Sequence, residues 1–504
     1  MTVEVSIKPG PALQINTADN VAVLLRDAFA GDEISVGSER RLARNDIPSG
    51  HKVALYAIAR GNPVIKYGAA IGMATEEIAV GDHVHLHNLR TSLDGQEEYS
   101  FKRAASGPAK RSDCTDSFLG YRRRNGRVGT RNEIWIIPTV GCVAKTAGRI
   151  AAEANRNLNG RAEGVRAFAH PFGCSQLGDD LDDTRRILAA LGAHPNAGGV
   201  LFLGLGCESN QLDRLLEEAP DLDPARTRTV KSQQVDDEFH AGLAAVEELL
   251  TQCSSDKRTP CPVSDLVLGV KCGGSDGFSG LTANPLVGRM TDQVTAAGGA
   301  SILTEIPELF GAERPLMARC ANRNVFEKFV GVVNNFKQYF LDHGQPVYEN
   351  PSPGNIAGGI TTLEEKSLGA AQKAGAGAIV ADVIRYGARA TKPGLTILEA
   401  PGNDAVSSTA LTAAGATIIL FTTGRGTPLG FPAPTLKISS NSVLAARKPR
   451  WIDFDAGVLL SGEEFDDTAD ALWRKILETA SGAVARNEEN DERAIAIWKK
   501  GVTL

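Results

Sequence analysis

The sequence predicts a mixed α/β protein in which a small N-terminal β domain precedes a large α/β region with mostly parallel sheets. Two observations predict this class. Before about residue 95, short β-type stretches are separated by turn residues such as Gly, Pro and Asn. From residue 119, apolar β-branched runs alternate with segments whose apolar residues recur at helical spacing. We therefore expect a β domain at 1–95, a linker at 96–118, and α/β subdomains at 119–260 and 261–504.

The charge balance and the cysteine content narrow the class of protein. The 504-residue chain has 54 Lys and Arg against 60 Asp and Glu, with no long basic run, so nucleic acid is not an expected partner. No apolar run reaches the length of a membrane span, and the first residues lack a signal-peptide pattern. We therefore expect a cytoplasmic protein without a membrane partner. Its eight Cys are expected as reduced thiols or metal ligands.

The predicted β domain contains two histidine motifs. In DHVHLHN, alternation along one strand would place His83, His85 and His87 on one face. Three imidazoles on one face could bind a metal or carry protons, or could form the polar face of an edge strand. In IPSGHKVAL, His51 follows a glycine turn and enters a strand, either as a catalytic base or as an ordinary turn residue.

The polar, weakly periodic linker contains Cys114, which we interpret as an incidental thiol. After the linker, apolar periodicity predicts helices in VAKTAGRIAAEANR, DLDDTRRILAALG, SNQLDRLLEEA, DDEFHAGLAAVEELL and DDTADALWRKILETASG. Further strands are predicted in ASILTEI, AGAIVADVI, GLTILEA and ATIILFTT. The alternation is typical of βαβ units around a parallel sheet.

Four cysteines share one local setting, because each follows a short apolar run. The runs are IWIIPTVGC to Cys142, RAFAHPFGC to Cys174, GGVLFLGLGC to Cys207 and DLVLGVKC to Cys272. Parallel sheets place ligands beyond the carboxyl ends of their strands, so we expect the four thiols at one crevice. Thiolates there would suit zinc or iron, including an iron–sulfur cluster. For any one thiol alone, a small buried hydrophobic residue is the alternative.

Charged and glycine-rich segments provide further candidates. CGGSDGFSG, which contains Ser275 and Asp276, could bring its backbone N–H groups close to an anion. GRVGTRNE and TTGRGTP carry arginines that could hold a carboxylate or could simply be solvated: Arg127, Arg131 and Arg425. In TEIPELFGAE, Glu305 and Glu308 could be metal ligands or bases, or could cap the next helix.

Long motifs carry a family resemblance. They include GRVGTRNEIWIIPTVGC, HPFGCSQLGDD, CGGSDGFSGLTANPLVGR, LTEIPELFGAE, YENPSPGNIAGGITTLEEKSLG, APGNDAVSSTA and FTTGRGTP. With these motifs the chain resembles the altronate dehydratase family, which also includes galactarate dehydratase. IPSGHKVAL and GDHVHLHN resemble the small SAF (β-clip) domain fused to those enzymes. The resemblance extends from near residue 14 to the terminal GVTL.

The resemblance implies an iron-dependent lyase that removes water from a small anionic sugar acid. For altronate, the product would be 2-dehydro-3-deoxy-D-gluconate. The iron would be Fe²⁺ or an iron–sulfur cluster; another divalent metal and a homo-oligomer are left open. NEIWIIPTVGC and FGCSQLGDD are more similar to altronate dehydratases than to galactarate dehydratases. Galactarate dehydratase is the alternative, followed by a sulfolactate sulfo-lyase and a non-catalytic sugar-acid-binding protein.

The expected reaction removes the C2 proton beside the substrate carboxylate and releases the C3 hydroxyl as water. For this reaction we assign three groups of candidate residues. The predicted metal ligands are Cys142, Cys174, Cys207 and Cys272. The predicted catalytic residues are His51, His85, His87, Glu305 and Glu308. The predicted substrate contacts are Arg127, Arg131, Ser275, Asp276 and Arg425.

Overall fold

The structure is a computed structural model that describes residues 11–37, 39–102 and 116–504. The predicted mixed α/β class is confirmed, with small antiparallel sheets first and parallel sheets after them. Cys114 and much of the predicted linker lie outside the described residues. Within the described ranges, no helix combines the length and the apolar character needed to cross a membrane.

Short antiparallel strands form the N-terminal domain. They are β1 (Ala12–Leu13), β2 (Val21–Leu24), β3 (Glu33–Val36), β4 (Glu39–Leu42), β5 (Lys52–Ala54), β6 (Pro63–Lys66), β7 (Ala69–Ala74), β8 (His83–Val84) and β9 (Leu89–Arg90). They pair in three sheets with the orders β1-β2-β5-β8, β3-β4 and β6-β7-β9. His51 directly precedes β5, as the glycine turn before it predicts.

The motif DHVHLHN is not one strand, so the prediction of three histidines on one strand face is wrong. Strand β8 ends at Val84. Residues 85–88 then turn, because Asn88 Oδ1 accepts a hydrogen bond from the His85 N–H at 2.9 Å. Side chains therefore stop alternating between the two faces of the strand at this turn, and His87 is exposed.

The next part of the chain is a doubly wound α/β unit. Its elements are β10 (Ser117–Arg122), β11 (Val128–Gly129), β12 (Glu133–Pro138), α1 (Ala144–Arg156), β13 (Val165–Ala167), α2 (Asp179–Gly192), β14 (Ala197–Gly204), α3 (Leu212–Glu217), β15 (Thr227–Lys231) and α4 (Glu238–Cys253). Parallel strands form a sheet in the order β13-β12-β14-β15. Along β12, Ile134 and Ile136 join one apolar core with α1 and α4, whereas Trp135 and Ile137 join the core on the other face with α2.

A larger parallel sheet organises the remainder. Its elements are β16 (Thr259–Pro262), β17 (Val267–Cys272), α5 (Ala283–Ala296), β18 (Ala300–Leu303), α6 (Glu313–Met317), α7 (Arg323–Asp342), α8 (Pro353–Ala357), α9 (Leu363–Ala370), β19 (Val380–Ile384), β20 (Gly394–Leu398), α10 (Asp404–Ala413), β21 (Ile418–Thr423), β22 (Thr435–Ser439), α11 (Ser442–Arg447), β23 (Phe454–Asp455), α12 (Phe465–Ala480) and α13 (Arg486–Glu489). Seven strands lie in the order β19-β20-β18-β17-β21-β22-β23. Strand β16 pairs with β10 and so joins the two α/β parts.

Helix α9 fastens the N-terminal domain to this larger part. Glu365 Oε2 lies 2.9 Å from Lys52 Nζ, and Glu365 Oε1 lies 2.7 Å from Lys66 Nζ. All three side chains are at most 1% exposed. Burial alone would raise the pKa of Glu365, but the two ammonium charges outweigh it and hold that pKa well below its usual range. A buried carboxylate therefore links the two domains.

We expect the substitution Glu365→Gln to lower the stability of the intact chain by about 3–5 kcal/mol, because two buried ammonium groups lose their countercharge. Thermal unfolding followed by circular dichroism measures the effect. The folded-state pKa of Glu365 lies below the unfolded value of about 4.3, so its stabilisation is complete above that pH and declines as the pH falls. Glu349→Gln alters an exposed carboxylate and is the control. Equal melting temperatures for Glu365→Gln and the wild type would contradict this account.

Candidate active site

The candidate active site lies at the carboxyl edge of the seven-stranded sheet, where α/β proteins bind ligands. Strand β17 ends at Cys272, and the neighbouring β18 ends just before the turn that carries Glu305 and Glu308. The adjacent strands β20 and β21 lead to Asp404 and Arg425. Four strand ends thus bring polar side chains from distant parts of the sequence to one edge.

Cys272 is the centre of a buried group of side chains. Its Sγ lies 3.3 Å from Glu308 Oε2 and 2.8 Å from Lys373 Nζ. Its backbone N–H donates a hydrogen bond to Glu305 Oε2 at 3.0 Å. Burial raises the pKa of the Cys272 thiol to about 12, so the thiol is neutral near pH 7.

Glu305 adopts an unusual backbone conformation. Its φ of 67° lies in the left-handed region, which costs free energy for a residue with a side chain. This conformation directs the carboxylate back to the strand ends, where Oε1 lies 3.0 Å from Lys271 Nζ. Lys271 Nζ also lies 2.6 Å from Asp404 Oδ1. Burial raises the pKa of Glu305 and favours its protonated form.

Glu308 has the opposite electrostatic setting. Its Oε1 lies 2.7 Å from Lys366 Nζ, which is also hydrogen-bonded to the amide oxygens of Asn350 and Asn355. Burial alone would raise the pKa of Glu308, but the charges of Lys366 and Lys373 outweigh it and lower that pKa. The group therefore contains one carboxyl that favours the protonated form and one that favours the ionised form. Such a pair can supply an acid and a base.

The Cys272 group is a candidate site for the iron that the resemblance implies, but lysines occupy its surroundings. The ligand atoms of Cys272, Glu305 and Glu308 do lie within 4.8 Å of one another. However, an ammonium group already contacts each of these three side chains. Lys271, Lys366 and Lys373 carry three positive charges. The two glutamates and Asp404 carry at most three negative charges, so the group has no excess of negative charge. Because an ammonium group lies at each potential ligand, the group as it stands suits an anion better than a cation, and the assignment of Cys272 as a metal ligand stays a prediction.

The glycine-rich loop after β17 is held rigidly by its own polar residues. Asp276 accepts hydrogen bonds from Ser440 Oγ at 2.7 Å and from Asn441 Nδ2 at 3.0 Å. The carbonyl of Ser275 accepts a hydrogen bond from Asn355 Nδ2 at 2.8 Å. Ser275 and Asp276 are both buried, and the Ser275 carbonyl and the Asp276 carboxylate are used to hold the loop. This differs from the predicted substrate contact.

The three predicted arginines have different environments. Arg425 is exposed, and its backbone N–H donates to the Gly274 carbonyl at 2.9 Å, which places it at the rim of the site. Arg131 is buried, and all five of its N–H donors are used by Glu488 and by backbone carbonyls. It has no donor left for a substrate, so that prediction is wrong.

Arg127 lies at the wrong end of the smaller sheet for substrate binding. It donates to the Ala193 carbonyl and lies 3.4 Å from Asp221. Ala193 precedes β14, so Arg127 is beside the amino ends of the parallel strands. The thiols of that sheet follow its carboxyl ends, and we therefore correct the assignment of Arg127 as a substrate contact.

Three histidines of the N-terminal domain form a compact cluster. His51 Nδ1 lies 3.1 Å from His83 Nε2, and the rings of His51 and His85 stack with centroids 5.0 Å apart. Burial lowers the pKa of His83 to about 3 and that of His85 to about 4, so both are neutral near pH 7. His83 is absent from the predicted catalytic residues, whereas the predicted His87 lies at the exposed edge of the cluster, with its ring centroid 5.6 Å from that of His83.

One loop separates the histidine cluster from the Cys272 group. The His51 and His85 rings face the backbone carbonyls of Ala357 and Ile356, at 3.4 and 3.2 Å. Asn355, from the same loop, faces the other way and contacts Lys366. The histidines therefore support the loop from the side opposite to the acidic residues. Their predicted catalytic role stays a prediction.

The predicted crevice with four thiols is not formed. Cys142, Cys174 and Cys207 are exposed beyond the smaller sheet, whereas Cys272 is buried beyond the larger one. The local setting that the four share is confirmed, since Cys142, Cys174 and Cys207 follow strands of a parallel sheet and Cys272 is the last residue of one. The sequence pattern does not show which sheet a strand joins, and so it could not separate the two groups.

Sequence reasoning missed the lysines of the site. Lys271 interrupts the apolar run VLGVKC, and a charged residue inside a buried strand is a signal for a paired charge. Lys366 and Lys373 are seven residues apart, a spacing that places them on one side of a helical segment. Neither signal identifies the group that pairs with the lysine, because that group follows another strand of the sheet.

Models of known protein families match each part of the chain. Models of the altronate/galactarate dehydratase SAF domain, of the D-galactarate dehydratase/altronate hydrolase second domain and of the D-galactarate/altronate dehydratase C-terminal region match residues 11–92, 120–254 and 263–503. An altronate dehydratase of Escherichia coli (strain K12) is 50% identical over 473 residues, covering 93% of this chain and 95% of the relative.

Two further relatives cover at least as much of this chain. An altronate dehydratase of Bacillus subtilis (strain 168) is 48% identical over 98% of this chain and 99% of the relative. A galactarate dehydratase (L-threo-forming) of Escherichia coli (strain K12) is 33% identical over 93% and 92%. The chain therefore belongs to the D-galactarate/altronate dehydratase family.

Proposed function

We propose that this chain converts altronate into 2-dehydro-3-deoxy-D-gluconate and water. The observation that carries the reaction type is the buried pair of Glu305 and Glu308, whose pKa values shift in opposite directions. The choice of substrate is supported by the two relatives named altronate dehydratase, which are 50% and 48% identical, against 33% for the galactarate dehydratase.

The two carboxyl groups divide the acid and base roles. The ionised Glu308 takes the proton from C2, and the electron pair of that C–H bond forms the C2–C3 double bond. The C3–O bond breaks as the protonated Glu305 donates its proton to the departing hydroxyl, which leaves as water. The resulting enol then ketonises by moving its hydroxyl proton to C3, so all atoms are accounted for.

The lysines stabilise the charge that develops during this reaction. Loss of the C2 proton moves negative charge onto the substrate carboxylate. This proton is difficult to remove, because the C2–H group is a very weak acid. Lys271 and Lys366 are fixed beside the two glutamates by contacts of 3.0 and 2.7 Å, so they need no rearrangement to stabilise that charge. The exposed Arg425 at the rim is positioned to attract the anionic substrate.

We also propose that the chain acts in the cytoplasm. All seven cysteines in the described part of the chain are free thiols, and three of them are exposed. Exposed thiols persist where the compartment is reducing.

We expect Glu308→Gln and Glu305→Gln each to lower kcat about 100- to 10,000-fold, because each removes one proton-transfer group. Release of the keto acid from altronate measures the rate, with galactarate offered separately. Glu463→Gln alters an exposed carboxylate and should keep the wild-type rate. Wild-type kcat in either site variant would refute the assigned role. Turnover of galactarate without altronate would overturn the proposed substrate.

The pH dependence of kcat/KM should be bell-shaped. Glu308 must be ionised, and its lowered pKa places the acid limb below the ordinary glutamate value of about 4.3. Glu305 must be protonated, and its raised pKa places the alkaline limb above that value. Activity therefore falls as the pH rises through the pKa of Glu305. A profile with no alkaline limb would rule out Glu305 as the acid.

Arg425→Ala should raise KM for altronate about tenfold or more with a smaller effect on kcat, because an exposed guanidinium at the rim binds the substrate anion without touching the reacting carbons. Steady-state kinetics at low and high salt measure this. The effect should shrink as salt screens the charge. Arg447→Ala removes an exposed arginine from α11 and should leave KM unchanged. An unchanged KM in Arg425→Ala would remove Arg425 from the site.

A further inference from the structure

A cavity of about 660 Å³ lies at the amino ends of β14 and β15 in the smaller sheet. Its walls come from three segments: residues 122–125 at the end of β10, residues 192–195 between α2 and β14, and residues 220–224 after α3. The candidate active site lies at the carboxyl edge of the other sheet. Cavities that bind small metabolites have volumes of about 300–1,000 Å³, so this one is large enough for such a ligand.

Guanidinium groups outnumber carboxylates around this cavity. Its walls include four arginines and three aspartates: Arg122, Arg123, Arg124, Arg226, Asp221, Asp223 and Asp256. Arg127 and Arg389 both contact Asp221, at 3.4 and 2.6 Å. Arg122 contacts Asp265 at 2.9 Å. Six guanidinium groups thus accompany four carboxylates, and this excess of positive charge favours an anionic ligand.

Two of the arginines are held rigidly and shape the cavity. Arg226 binds Asp256 through two hydrogen bonds of 2.7 Å. Arg123 donates to the carbonyls of Pro195 and Arg131 at 2.8 and 2.9 Å. Because their donors are used within the protein, these two arginines contribute fixed positive charge to the cavity and few hydrogen bonds to a ligand.

Arg124 differs from these two arginines because its donors are available. Its side chain is 78% exposed, and Asp223, its ion-pair partner among the described residues, is 3.7 Å away, which is beyond hydrogen-bond distance. A planar guanidinium with available donors can hold a phosphate or a carboxylate through two parallel hydrogen bonds. Arg124 is therefore suited to bind the anionic group of a ligand.

Asp221 offers the opposite kind of contact. Its Oδ2 accepts hydrogen bonds from Arg389 and Arg127. Its Oδ1 is buried and accepts no hydrogen bond from the described residues. A buried acceptor without a donor costs free energy, and a ligand hydroxyl is a suitable donor for it. The cavity therefore combines donors for an anion with an acceptor for a hydroxyl.

The cavity lies where the two α/β parts meet. Asp221 follows α3 of the smaller part, and its partner Arg389 follows β19 of the larger part. His194, on the cavity wall, has its Nε2 3.1 Å from the carbonyl oxygen of Ala416, just before β21. A ligand bound to Asp221 is therefore linked to both parts of the chain.

We propose that this cavity is a second ligand site, which binds a small hydroxylated organic anion that carries a phosphate or a carboxylate. Arg124 binds the anionic group, and a ligand hydroxyl donates to Asp221. The site is separate from the proposed active site, because it lies at the amino ends of the smaller sheet and not at the carboxyl edge of the larger one.

Isothermal titration calorimetry of the intact chain tests the proposal with gluconate 6-phosphate, gluconate and inorganic phosphate, each titrated separately. We expect at least one of the two organic anions to bind, and Arg124→Glu to weaken that binding about tenfold or more. Because Arg124 is exposed, this variant should keep the wild-type circular dichroism spectrum. Arg156→Glu reverses the charge of another exposed arginine, on α1, and should bind as the wild type does.

The substitution Asp221→Ala tests the hydroxyl contact. It frees Arg127 and Arg389 for inorganic phosphate but removes the acceptor for the hydroxyl. The preference for the organic anion over inorganic phosphate should therefore fall about fivefold or more. An unchanged preference would remove Asp221 from the site and overturn the proposed class of ligand.

Three other results would overturn the proposal. The first is that neither organic anion binds the wild type, and the second is that Arg124→Glu binds it with wild-type affinity. The third is loss of binding in Arg425→Ala, which would place the anion in the proposed active site. If Asp221→Ala misfolds, the comparison of Arg124→Glu with Arg156→Glu decides.

Discussion

The fold of this chain depends on pairing the charges that helix α9 buries between the N-terminal domain and the candidate active site. Glu364 accepts hydrogen bonds from Thr91 and Ser92, and Glu365 lies between Lys52 and Lys66. The next residue along the helix, Lys366, turns to Glu308 in the candidate active site. Three consecutive residues therefore hold the N-terminal domain and the acid–base group at once. An unpaired charge at any of these positions would cost several kcal/mol.

The protonation and pairing of each thiol decide what its site can bind. Cys272 is enclosed among lysines and carboxylates, and its raised pKa keeps it neutral. Such a group favours an anionic substrate over a cation. The thiols on the smaller sheet are exposed, and the donors beside Cys174 and Cys207 are neutral. The same strand-to-cysteine pattern thus leads to two different environments.

Much of the architecture could be predicted because periodicity is a local property. The strand runs before the four cysteines and the helices that alternate with them are found where apolar spacing places them. Glu305 and Glu308 could be chosen because a strand end precedes them. Their acid and base roles could not, since these depend on Lys271 and Lys366, which come from a different strand and from α9.

The errors have a common physical cause. Arg131 was predicted to bind the carboxylate of a substrate. It binds the carboxylate of Glu488 instead, which lies more than three hundred residues away in the same chain. His87 appears equivalent to His85 by alternation, but the backbone turns between them, where the His85 N–H donates a hydrogen bond to the Asn88 side chain. Long-range partners and side-chain turns are not encoded in a local period.

The position of Glu365 also has a consequence for how this protein can be assembled. If the N-terminal domain were supplied as a separate polypeptide, the carboxylate on α9 would face water, and Lys52 and Lys66 would lose their shared countercharge whenever the two pieces parted. Hydration of the three separated charges would offset this loss, so the ion pairs would fix how the two pieces fit together, and apolar burial would oppose their dissociation. A two-chain version of this architecture should behave as a permanent complex, with α9 forming the core of its interface.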